Sequence, residues 1–189
     1  MPASLFVFMG LIASGKSSLA QAFAEEFSFP YFNTDVVRKE LAGKAPSSRQ
    51  ADAFGQGIYS PAFTRLTYDT LLDHARRELS VNHYVVLDGS YLERGERQRA
   101  MECAAGCAAS FFFILCRCDD EETRRRLALR ASDPLAVSDG TWEIYQRQKE
   151  SLEFPDELAS DCLIVMDTRA SVPELLRKLR AKFSQIAAA

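Results

Sequence analysis

The apolar and polar positions divide the chain into short, unbroken hydrophobic runs separated by stretches with helical spacing. Leu5-Phe6-Val7-Phe8-Met9, Tyr84-Val85-Val86-Leu87, Ser110 to Cys116 and Cys162 to Met166 are runs of strand length. They do not alternate with polar residues, which is the pattern of strands buried on both faces. Phe29-Pro30-Tyr31-Phe32-Asn33 reads as a shorter strand, second in chain order. Between the runs, Leu19, Phe23 and Phe27 recur at helical spacing. Asp35 to Leu41 starts another helix, with Thr34 or Asp35 placed to cap it. Ser60-Pro61 opens a third, with proline at the first helical position and an end near Ser80. Leu92–Ala105, Asp119–Arg130 and Thr141–Leu152 follow as helices, the second beginning with four acidic residues that suit its dipole. Val172, Leu175, Leu176, Leu179, Phe183 and Ile186 mark one face of a terminal amphipathic helix. Residues 43–57 and 131–140 read as loops. Strands alternating with helices predict a parallel sheet covered on both faces, with its ligand at the carboxyl ends of the strands. No internal repeat or linker divides residues 1–189, so a single domain is expected.

The first strand and helix flank Gly10-Leu11-Ile12-Ala13-Ser14-Gly15-Lys16-Ser17, which satisfies G-x-x-x-x-G-K-[ST] at every fixed position. The glycines let the backbone N–H groups of Gly10, Ile12, Ala13, Ser14 and Gly15 curl around a phosphate. Behind them the helix start, from Lys16 through Ser18, offers unpaired donors. Lys16 then reaches the β- and γ-phosphates, and the Ser17 hydroxyl is placed to hold Mg²⁺. A nucleoside triphosphate is the expected ligand, with ATP as the default.

Composition narrows this reading. The chain has 189 residues, 47% hydrophobic and 26% charged, with a net charge of −3. No global positive field recruits nucleic acid or an acidic membrane, and the apolar runs are too short to span a bilayer. Met1 to Ser4 lacks the basic start of a signal peptide, so a cytoplasmic location is expected. Cys103, Cys107, Cys116, Cys118 and Cys162 are odd in number and contain no C-x-x-C pair. Reduced thiols fit them better than disulfides or zinc.

Four further groups fall just beyond strand ends. Asp35 follows the second strand and is placed to accept the proton of an attacking hydroxyl, while Arg38, one turn on, is placed to hold the acceptor. Asp88 closes its strand where a carboxylate commonly orients Mg²⁺, although the acceptor is an alternative partner. In the run Arg124 to Arg130, Arg126 and Arg130 share a helix face and are candidates to close over the triphosphate. Asp167-Thr168-Arg169 follows the last strand, either beside the adenine or as an ordinary loop. Trp142, Tyr145 and Tyr59 are left as core or lid residues.

Gly10–Ser18, Thr34-Asp35-Val36-Val37-Arg38, Val85–Gly89, Arg126–Arg130 and Ser138–Glu143 together resemble a family of P-loop kinases that occur alone or behind aminoglycoside-phosphotransferase-like domains. The same layout is similar to polynucleotide 5′-kinases, gluconate and adenylylsulfate kinases, chloramphenicol phosphotransferase and zeta-type toxins. The resemblance implies a P-loop NTPase three-layer sandwich. Its sheet has five parallel strands in the order 2-3-1-4-5, with a short lid over roughly 126–145. It also implies that Asp35 is the hydroxyl-activating base and that Arg126 or Arg130 touches ATP. The expected function is an ATP- and Mg²⁺-dependent transfer of the γ-phosphoryl group to a hydroxyl of a small molecule. A 5′-hydroxyl polynucleotide kinase, a nucleotide-binding regulatory module and a toxin-type nucleotide-sugar kinase are the alternatives.

Overall fold

The computed structural model describes residues 3–45, 56–81, 83–131 and 140–184. The strands are β1 (Ser4–Met9), β2 (Tyr31–Asn33), β3 (Tyr84–Asp88), β4 (Ser110–Arg117) and β5 (Leu163–Asp167). All pair in parallel, in the order β2-β3-β1-β4-β5. This is the sheet order of the P-loop NTPase sandwich expected from the sequence. The helices are α1 (Lys16–Phe27), α2 (Thr34–Leu41), α3 (Pro61–Val81), α4 (Arg94–Gly106), α5 (Asp120–Ala131), α6 (Trp142–Ser151) and α7 (Val172–Lys182).

The central strand shows why its pattern is continuous. All six residues of β1 are buried, and successive side chains feed opposite layers. Leu5, Val7 and Met9 join a core built with α3 and α4, containing Leu71, Leu72, Leu79, Ala100 and Cys103. Phe6 and Phe8 join the other core, with Leu19 and Phe23 of α1 and Leu175 and Leu179 of α7. Phe6 is the hub of that second layer. Its ring lies 5.1 Å from Phe23 and 5.1 Å from Phe183, the latter edge-on, a favourable arrangement for aromatic quadrupoles. A third, smaller cluster joins Ile12 and Ala13 of the phosphate loop to Leu127 of α5 and Tyr145 of α6. It seats the last two of these helices over the carboxyl edge of the sheet, and Tyr145 is therefore a core residue.

Two expectations change. The short strand begins at Tyr31 rather than Phe29, and its end residue, Asn33, is the cap of α2. Asn33 Oδ1 accepts from the N–H groups of Asp35 and Val36 at 2.8 and 3.1 Å, so neither Thr34 nor Asp35 serves as cap. The Asp35 carboxylate is thereby free of the backbone. Most of the expected 43–57 loop, residues 46–55, the lid segment 132–139 and Ile186 lie outside the described residues.

Candidate active site

The turn after β1 can be made only with glycine at two places. Gly10 and Gly15 adopt φ of 141° and 82°. A Cβ on Gly10 would stand 2.2 Å from the Cys116 carbonyl oxygen, and one on Gly15 2.7 Å from Arg126 Nη1. A side chain at Gly10 collides with backbone, one at Gly15 must displace the Arg126 guanidinium, and both strain the backbone. Gly15 is also the cap residue of α1, with no side chain capping that helix and no acidic residue in its first turn. Its leading N–H groups therefore face outward as an anion-binding end. Lys16 Nζ rests on the Leu11 carbonyl at 3.5 Å, Ser17 is half-buried and Ser18 is exposed.

Asn33 organises the next strand ends. While its oxygen caps α2, its Nδ2 donates to Asp88 Oδ2 at 2.5 Å. The two residues are register partners across β2 and β3. Tyr31 Oη donates to the same Asp88 oxygen at 2.7 Å. Burial, reinforced by the Asp88 charge, pushes the Tyr31 hydroxyl well above its ordinary range, so it stays a donor. Asp88 is fully buried, and its other oxygen, Oδ1, has no partner among the described residues. A carboxylate with one oxygen fixed by two donors and the other unsatisfied fits an acid awaiting a cation or a water bound to one. That orphaned oxygen, with the Ser17 hydroxyl beside the loop, fits Mg²⁺ chemistry.

A cavity of about 300 Å³ opens beside the loop. Ile12, Lys16, Asp35, Arg38 and Gln148 line it, together with Tyr59, Ser90 and Glu93 from the segments leading into α3 and α4, Tyr68 of α3 and Glu96 of α4. Burial raises the Asp35 carboxyl above the usual aspartate range, with Lys16 and Arg38 pulling it down and Asp88 pushing it up. Lys16, Asp35, Arg38 and Asp88 thus share one electrostatic neighbourhood. Arg38 is buried, its Nη1 donating to the Ile58 carbonyl at 2.6 Å and the Thr64 hydroxyl at 3.0 Å, with the guanidinium 5.0 Å from the Tyr59 ring centre. Its Nε is buried without a partner among the described residues.

The basic run is placed differently. Arg126 does not line the cavity. It backs the loop, Nη1 donating to Ala13 O at 3.3 Å and Thr168 Oγ1 at 3.1 Å, and Nη2 to Thr168 O at 2.5 Å. Its Nε pairs with Glu122 at 2.6 Å. Thr168 in turn donates to Ser14 O at 2.5 Å. Arg126 and Thr168 therefore form a strut that ties β5 and α5 to the phosphate loop. Arg169 is exposed and pairs with Asp167 and, at 2.9 Å, with Asp119. Arg130 is half-buried in the last turn of α5, and the segment after it, 132–139, lies outside the described residues. Cys116, at the same strand end, has its thiol pushed up to about 12 by burial, and all five cysteines are free.

Three residues at this edge carry no sequence motif. Asn33 is one. Arg97, fully buried, is the second, donating to the carbonyls of Tyr91 and Leu92 at 3.0 and 2.9 Å and pairing with Glu157. It fixes the segment that walls the cavity, where Tyr91 holds a φ of 47°. The third is Gln148, whose Oε1 accepts from the loop amide of Ile12 at 2.7 Å. Its position three residues after Tyr145, itself three after Trp142, is the signal that places it on the loop-facing side of α6.

A family model described as an AAA domain, AAA_33, matches residues 5–155. Over 131 residues the chain is 30% identical to the uncharacterized protein Rv2004c of Mycobacterium tuberculosis, covering 69% of this chain and 26% of that protein. The chain thus spans about a quarter of that curated relative's length. Among solved structures it is similar to a gluconokinase from Sinorhizobium meliloti 1021, with a TM-score of 0.61 at 22% identity over 99% of this chain and 94% of that one. It is also similar to the APS kinase CysC of Mycobacterium tuberculosis in complex with AMPPNP and APS, with a TM-score of 0.65 at 20% identity over 97% and 99% of the two chains. Among the described residues, no helix is long and apolar enough to cross a membrane.

Proposed function

The chain belongs to the AAA_33 family of AAA domains and has the fold of P-loop kinases, and on that footing we propose that it is a cytoplasmic kinase that transfers the γ-phosphoryl group of ATP to a hydroxyl of a small molecule. The observation that carries the reading is the half-buried Asp35, which lines the same cavity as Lys16. The N–H groups of Gly10, Ile12 and Ser14, expected at the phosphate, are instead bonded to Ser90 O, Gln148 Oε1 and Leu11 O at 3.2, 2.7 and 3.1 Å. That leaves the amides of Ala13, Gly15 and the start of α1, with Lys16, to take the polyphosphate. Ser17 with Asp88 would hold Mg²⁺, which would supply charge neutralisation at the phosphates. Asp35 accepts the acceptor's proton as its oxygen bonds to the γ-phosphorus and the bond to ADP breaks, a role worth about 10²- to 10⁴-fold. Arg38, which lines the cavity and commits only its Nη1 to Ile58 and Thr64, would position the acceptor. A bound ATP analogue in the similar APS kinase supports the nucleotide assignment. A cavity of about 300 Å³ suits a small acceptor.

The cavity's charge narrows the acceptor further. Once phosphates engage Lys16, the described lining retains Arg38 against Asp35 and Glu93, Glu96 being paired with Arg99 at 2.8 Å. An uncharged or amine-bearing alcohol fits that balance better than an acid. The test is ADP release from Mg²⁺-ATP across hydroxyl compounds in matched neutral, ammonium and carboxylate forms, with short 5′-hydroxyl oligonucleotides as a further arm. Lys16→Ala should abolish turnover. Acceptor-independent ADP release that ignores the whole panel would reject the kinase reading, and preference for the carboxylate forms would reject the charge argument.

A further inference from the structure

We propose that Gln148 reads the terminal phosphate of the bound nucleotide, a role that rests on the kinase reading above and adds to it a residue outside the phosphate loop. The starting observation is the contact between its side-chain oxygen and the Ile12 N–H at 2.7 Å, made by residues 136 positions apart. A backbone N–H can be accepted only by the carboxamide oxygen. The bond therefore fixes which way the amide faces and leaves Nε2 as the unused end. Among the described residues no group accepts from that Nε2, and Gln148 lines the cavity.

The cavity tells which end of the nucleotide this is. It is lined by Lys16, which in such loops reaches the β- and γ-phosphates, and by Asp35 on the acceptor side. Thr168 and Arg126, which brace the loop from behind, do not line it. The Gln148 carboxamide thus stands on the cavity wall shared with Lys16 and Asp35, its oxygen occupied by the Ile12 amide and its neutral Nε2 left to donate to the last phosphate.

The side chain is also held for the purpose. On the same helix, the Tyr145 hydroxyl donates to Asp120 at 2.7 Å and Lys149 pairs with Asp120 at 2.8 Å. The Arg124 guanidinium stacks 3.7 Å from the centre of the Trp142 ring. Tyr145 also packs in the cluster with Ile12 and Ala13. Helix α6 is therefore clamped to α5 and to the loop, and Gln148 reaches its amide without mobile intermediates. A donor set in advance where charge gathers costs no reorganisation when the phosphate arrives.

A brace and a phosphate reader differ in one respect that can be measured without knowing the acceptor. A brace supports the loop equally for di- and triphosphate, whereas a reader matters only when the last phosphate is present. Gln148→Glu keeps an oxygen for the Ile12 amide but replaces the donor with a negative oxygen. In calorimetric titrations with Mg²⁺, it should weaken AMPPNP binding roughly 30-fold or more while changing ADP binding less than about threefold, since hydrogen bonds to charged groups carry about 10- to 100-fold in affinity. Gln148→Ala, which removes the donor without adding charge, should weaken AMPPNP about 10-fold on the same criterion. It also decides the matter if the glutamate variant fails to fold. An AMPPNP-to-ADP affinity ratio unmoved in the variants, or an equal loss for both nucleotides, makes Gln148 a brace and overturns the inference while leaving the kinase reading intact. Wild-type protein that binds neither nucleotide removes both.

Discussion

Truncating Arg126 separates two roles that a basic helix run leaves tangled. The side chain is 19% exposed and supplies donors to Ala13 O, Thr168 O and Thr168 Oγ1. Arg126→Ala strips the Thr168 carbonyl of its donor and leaves Ala13 O only the weak Cys118 thiol at 4.0 Å, at a largely buried junction, each loss costing about 1–3 kcal/mol. Thr168 retains its own bond to Ser14 O, so the junction is weakened rather than dissolved, and the losses are not fully additive. We expect a net destabilisation of about 2–4 kcal/mol. For a domain of this size that lowers the melting temperature by about 2–4 °C per kcal/mol, hence about 4–16 °C. The same loss frees the back of Gly15, where a Cβ would stand 2.7 Å from Arg126 Nη1. ADP and AMPPNP should therefore lose affinity by a similar factor. The assay is thermal unfolding of the nucleotide-free variant, followed by titration with each nucleotide. A melting temperature within a degree of wild type, coupled to a loss confined to the triphosphate or to turnover, would show that Arg126 leaves its strut to act on the γ-phosphate, and the reasoning here would fail.

Two further expectations rest on the carboxylates. Because burial raises the Asp35 pKa, its proton-linked stability is full below the ordinary aspartate range, about 3.9, and is lost as pH rises through the folded-state value. Asp35→Asn should then flatten the pH dependence of stability over that window and be no less stable than wild type at pH 7. Turnover should fall about 10²- to 10⁴-fold, and the wild-type rate should show an acid limb above the ordinary carboxylate range. Parental turnover in Asp35→Asn would remove the base assignment. Asn33→Ala should cost about 0.5–2 kcal/mol for the lost helix cap and about 1–3 kcal/mol for the donor withdrawn from Asp88, read by denaturant unfolding. Asn33→Asp keeps the cap oxygen but sets two carboxylates together, so wild-type stability of that variant at pH 7 would exclude the Asn33–Asp88 bond.

The division between what the sequence shows and what it hides follows the range of the interactions. Strand and helix patterns repeat over two to four residues, so the continuous burial of Leu5 to Met9 and the start of α3 at Pro61 are visible locally. The phosphate loop is visible for the same reason: its two required glycines lie five residues apart, and the constraint on each is a backbone angle. Asp35 is visible by its place after a strand, whereas the residue that frees it is not. Asn33 reads as the tail of an apolar run, and its double duty appears only when registration sets it beside Asp88, 55 positions on.

Arginine and glutamine are the harder cases because their length lets one residue type serve opposite ends of a site. From helical spacing alone, Arg126 is as good a phosphate ligand as any residue of its run. Its actual partners, 113 positions before it and 42 after it, lie at two different strand ends. The choice between phosphate ligand and strut is made by sheet order: β4 lies between β1 and β5. That places the start of α5 where a long side chain can bridge the turns following β1 and β5. Gln148 is the reverse case, a residue without charge or motif that α6 carries onto the loop 136 positions away. Parallel sheets make such distant meetings routine, because every strand end opens on the same edge. In this fold, therefore, a polar residue one or two turns along a helix that begins at that edge is a site candidate by position, whatever its chemistry suggests in isolation.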